Sequence, residues 1–115
     1  MIVADFRLKQ DISSDRRSRP RLSGRFPATV RGLNRNRDSF EIHAVIDNIG
    51  AGGLYMRLRQ DVEPGETLFL VTRLTSDAGE VHGPLIAING NVLRAEPIPS
   101  GECGVAVAIT NHRFL

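Results

Sequence analysis

Two clusters in this 115-residue chain have residue types and spacings suited to holding an anion. The first, Asp15-Arg16-Arg17-Ser18-Arg19-Pro20-Arg21, sets Arg17 and Arg21 four residues apart. On a helix that spacing would place both guanidiniums on one face, but Pro20 cannot sit in a helix interior and drives Arg19 toward an extended conformation. The segment therefore reads as a loop or extended arm whose arginines can fold over a ligand. The second cluster is Asn48-Ile49-Gly50-Ala51-Gly52-Gly53. Its glycines permit positive φ and close backbone approach, and successive N–H groups in such a turn can form a concave anion site. Asn48 adds a side chain that both donates and accepts. Ordinary hairpins also use glycine-rich turns, and this one precedes a strand, not the helix that a dinucleotide fold requires.

The charge is unevenly spread. Residues 1–37 hold ten cations against three carboxylates, a net +7, whereas residues 38–115 hold five against ten, a net −5. Fourteen of the fifteen cations are arginine, whose planar fork matches phosphate oxygens and base edges better than the point charge of lysine. The basic end is thus the part suited to meet an anionic partner.

The elements that must position these clusters read as β. Phe26 to Leu33 suits a first strand, followed by a polar turn at Asn34–Asp38. Phe40, Ile42, Ala44 and Ile46 alternate with Glu41, His43, Val45 and Asp47, the two-residue period of a half-buried strand. Past the Asn48–Gly53 turn, Leu54, Met56 and Leu58 resume the inward phase. Glu63-Pro64-Gly65-Glu66 is a turn signature, because proline presets φ and the glycine supplies a positive one. Strands follow at Thr67–Leu74, at Leu85–Ala95 with a bulge or bend expected at Asn89-Gly90-Asn91, and at Cys103–Thr110, with a turn at Ser76–Gly79 between the first two. Six short strands without a long helix predict a closed antiparallel barrel, which removes the sticky edges of a small all-β domain.

In this order, the arginine pair before the first strand and Asn48 to Gly53 after the second resemble the PilZ domain family, which is marked by an RxxxR motif and a [D/N]xSxxG motif. Gly90-Asn91-Val92-Leu93-Arg94 and Cys103-Gly104-Val105-Ala106-Val107 also resemble its later strands. The resemblance implies a six-stranded antiparallel β-barrel over residues 15–115; residues 1–14 read as an N-terminal arm, part of a flexible N-terminal region whose basic charge comes from the arginines that follow. It further implies a receptor for the bacterial second messenger cyclic diguanylate (c-di-GMP), signalling to a protein partner through a ligand-induced surface change. By position, Arg17 and Arg21 match the first motif, Asn48 opens the second and Gly53 closes it. Gly50 stands where the family has serine, and a lost hydroxyl contact costs on the order of 1–2 kcal/mol, roughly tenfold in affinity. The expected ligand-binding set is Arg16, Arg17, Arg21, Asn48, Gly50 and Gly53. An interaction domain of the same fold that does not bind the nucleotide and acts through protein contacts is the alternative.

Other classes fit less well. His43, His82 and His112 are scattered with no CxxC or HxxxH spacing, so no metal or other cofactor is expected. No nucleophile motif such as GxSxG is present, and the expected role is not enzymatic. A lone Cys103 forms no internal disulfide and suits a small hydrophobe at a strand start. With 5% aromatics and no Trp, a stacking platform for nucleic acid is poorly supplied. No apolar run approaches the roughly 18 residues of a membrane span, and the start lacks a signal-peptide pattern, so a cytoplasmic setting is expected.

Overall fold

The alternation becomes six antiparallel strands: β1 (Leu22–Leu33), β2 (Ser39–Ile49), β3 (Gly53–Leu58), β4 (Thr67–Arg73), β5 (Leu85–Pro97) and β6 (Cys103–Phe114). The structure is a computed structural model and describes residues 22–33, 36–74 and 83–115. Neighbours pair in the order β1-β2-β3-β6-β5-β4, and Phe69–Thr72 of β4 pair back with Ala28–Arg31 of β1, so the ring closes as the expected barrel. Closure gives every strand a hydrogen-bonded neighbour on both sides over part of its length, so no strand is a free edge throughout. The expected arm at residues 1–14, Arg16, Arg17, Arg21, His82 and the Ser76–Gly79 turn lie outside the described residues.

Each strand sends its apolar phase inward. Val30, Ile46, Met56, Leu70, Ile88 and Val105, one from each strand, have 0% exposure and form the centre of the core. His43 faces out of β2, and Cys103 opens β6, partly buried against the core. Thr72 is the buried polar residue of this layer; its hydroxyl donates to the Pro27 carbonyl at 2.7 Å. That bond ties β4 to β1 beside a proline, which has no N–H to give the ladder. The Glu63–Glu66 turn forms as expected, with Gly65 at φ 95° and the Glu66 N–H donating to the Glu63 carbonyl at 3.1 Å.

β4 ends one residue early, at Arg73, and β5 runs two residues on, to Pro97; three larger differences from the sequence reading lie at bulges. β1 starts at Leu22, four residues before Phe26, because Gly24 and Arg25 bulge between the pairs Ser23–Asn48 and Phe26–Ile46. Asn48, expected in a turn, is the penultimate residue of β2. β6 runs on past Thr110 to Phe114: Thr110 is skipped between the pairs Gly90–Ile109 and Asn89–Asn111. One extra residue flips the inward phase from odd to even numbers, which hides the continuation from a period-two reading. The irregularity expected near Asn89–Asn91 is this same bulge, with the extra residue on the facing strand.

Candidate ligand-binding site

The second motif is shaped by a bulge in β2. Ile46 pairs with Met56 and Asn48 with Tyr55, so Asp47 has no opposite on β3. Asp47 and Asn48 are therefore both only partly covered, while Ile46 before them and Ile49 after them are in the core. Asp47 reaches across to β3. It accepts a bidentate pair from Arg57, Nε to Oδ2 at 2.7 Å and Nη2 to Oδ1 at 2.8 Å. The hydrogen bond and charge of Asp47 raise the Arg57 pKa above its ordinary value. Glu102 lies 3.8 Å from the other Arg57 nitrogen and accepts from the Ser100 hydroxyl at 2.8 Å.

Past Ile49 the loop is short and strapped down. The Gly50 N–H donates to the Gly53 carbonyl at 2.9 Å, and the Ile109 N–H of β6 donates to the Gly52 carbonyl at 3.0 Å. Gly53 begins β3 so close to β6 that a Cβ would stand 2.9 Å from the Val107 carbonyl oxygen. Among the described residues, positive φ occurs at Arg37, Gly65 and Gly101 and at no glycine of this loop. Gly53 thus serves close strand approach, no glycine of the loop makes a left-handed turn, and the Gly50 donor is already used within the loop.

Asn48, Gly50, Gly53 and Tyr55 line a hollow of about 500 Å³, whose opposite wall is formed by Leu93, Arg94 and Ala106. Among the described residues no carboxylate lines it. Tyr55 lies across Gly104, where any side chain would run into its phenol oxygen. Of the six site residues expected, the structure brings Asn48, Gly50 and Gly53 together; Arg16, Arg17 and Arg21 lie outside the described residues. Leu22 and Ser23, which directly follow Arg21, pair with Ile49 and Asn48. The wall contributed by β5 was missed by the sequence reading. The signal available for it was the break in alternation after Val92.

A closed six-stranded barrel carrying an open hollow, lined by no described carboxylate, at one hairpin end defines a small binding domain. The PilZ domain family model matches residues 15–113, and the chain belongs to the PilZ domain family, whose members are binding and effector modules. Among solved structures, the Bacillus subtilis inhibitor of motility (MotI/DgrA) is similar in fold: TM-score 0.60 and 23% identity, with 79% of this chain and 41% of that one covered. The chain thus spans less than half of that protein. No curated protein matches. Among the described residues no group of three or more His, Cys, Asp or Glu side chains could hold a metal ion, and no helix is long and apolar enough to cross a membrane.

Proposed function

We propose that the chain is a receptor module for cyclic diguanylate that passes the signal to a protein partner in the cytoplasm, with the nucleotide seated in the hollow beside Asn48. The observation that carries this reading is the junction of the two motifs: Ser23 pairs with Asn48, so the chain leaving the arginine segment enters the barrel at the second motif. Arg17 lies five positions before Leu22, and an extended chain spans at most about 18 Å over that length, so both motif arginines are tethered within reach of the hollow. Arg17 and Arg21 pair with phosphate oxygens or guanine O6 and N7, with Arg16 as an auxiliary contact. Asn48 meets a guanine edge, and the Gly50–Gly53 backbone lies close beneath the ligand. Charge neutralisation then draws the arginine segment onto the nucleotide and changes the surface a partner meets.

Calorimetric titration of c-di-GMP into the chain tests this, with an Arg17→Ala/Arg21→Ala variant and linear GMP beside it. Saturable binding at micromolar concentration or tighter is expected for the chain and not for the variant. Absence of heat, together with unmoved amide resonances at saturating ligand, overturns the receptor reading. The alternative, a barrel that acts only through protein contacts, is favoured by Gly50, which lacks the motif hydroxyl and spends its N–H on Gly53.

A further inference from the structure

A strand shows alternate side chains to solvent, so two consecutive outward residues require an extra one in the ladder. β5 contains such a place. Val92 pairs with Val107 and Arg94 with Ala106, leaving Leu93 without an opposite. Val92 is in the core at 2% exposure and Ala95 packs against it, while Leu93 and Arg94 both stand exposed between them. The pattern repeats that of Ile46-Asp47-Asn48-Ile49 in β2, and the two bulges face each other across the same hollow. Bulges beside binding sites commonly re-aim side chains in this way.

The two residues so displayed differ usefully. Leu93 is 60% exposed, and covering that surface is favourable in proportion to the apolar area removed from water. No described carboxylate forms an ion pair with Arg94, unlike Arg57, which is held by Asp47. An apolar side chain next to a guanidinium suits a ligand that presents a flat ring beside an anion. Resting on the receptor reading above, we infer that the β5 bulge is a third wall of the nucleotide site, with Leu93 packing on the face of one purine and Arg94 pairing with the adjoining phosphate.

The test is c-di-GMP titration of the full chain against Leu93→Ser, Arg94→Ala and, as a control, Leu33→Ser, a leucine 52% exposed at the end of β1 and outside the hollow. All three sites are on the surface, so matching amide spectra without ligand certify the fold. Leu93→Ser is expected to weaken binding about fivefold, and Arg94→Ala about tenfold with a shallower salt dependence. Leu33→Ser should leave affinity unchanged. In the wild-type complex the Leu93 methyl protons should show nuclear Overhauser contacts to a purine H8. Wild-type affinity in both β5 variants, alongside lost binding in Arg17→Ala/Arg21→Ala, overturns the third wall and leaves the receptor reading standing. No binding by the wild-type chain overturns the receptor reading and this inference with it.

Discussion

Two hollows meet at β5, where Arg94 lines one and Glu96 the other, and they are opposite in charge. The hollow beside Asn48, about 500 Å³, holds one arginine and no carboxylate among the described residues. The other, about 660 Å³ between the β3–β4 and β5–β6 loops, sets Arg59 among Asp61, Glu63, Glu96 and Glu102. The larger space is the poorer one for a phosphate, because four carboxylates would repel it. Walls also differ. The first hollow is built from glycine backbone and two bulges, the second from exposed loop side chains. Charge and backbone access, more than volume, single out the site.

The sharpest way to break the first hollow is at Gly53. Gly53→Val drives a side chain into the Val107 carbonyl oxygen, which a Cβ alone would approach to 2.9 Å. Overpacking of this kind costs about 2 kcal/mol, or roughly 10 °C in Tm, and c-di-GMP binding should be lost with the loop geometry. Gly52→Ala, with nothing within 4 Å of its Cβ, should leave Tm unchanged in the same calorimetric scan. Unaltered melting of Gly53→Val would show that the close approach to β6 is not needed.

A smaller effect is expected at the clamp between β2 and β3, beside Asn48. Arg57→Ala leaves the Asp47 carboxylate alone in its bulge. Both partners are 28% exposed, so the bidentate pair is worth about 1 kcal/mol, and a double-mutant cycle with Asp47→Asn should return a coupling of about that size in urea melts. A coupling near zero would mean that the bulge holds Asn48 outward without this pair. The smallest effect is expected at Glu96, two residues along β5 from Arg94. Glu96→Lys should tighten c-di-GMP binding about twofold at low ionic strength and not at 0.5 M salt, since both side chains are exposed and screened. An effect that persists in high salt would point to direct contact between Glu96 and the ligand.

Much of this was legible in the chain because period-two alternation is a local signal. Leu54, Met56 and Leu58 went to the core as read, and Pro64-Gly65 formed its turn. Asn48 and the loop glycines were legible as a cluster through residue type and order. The errors cluster at the bulges. Asn48 sits in a strand, the last strand runs to Phe114, and Leu93 and Arg94 face a hollow to which no spacing rule assigned them. A bulge is decided by which residue of the neighbouring strand lies opposite, and that neighbour is distant in sequence.

The amino-acid sequence by itself determined the class of fold, the inward face of most strands and the two clusters with anion chemistry. Each follows from residue type and short-range period. Tertiary structure alone decided the ring order β1-β2-β3-β6-β5-β4, the closure of β4 on β1 and the Arg57–Asp47 clamp. It also set the bulge of β5 against that of β2 across one hollow. These depend on register between strands up to several tens of residues apart, where one skipped residue turns a side chain from the core to the site.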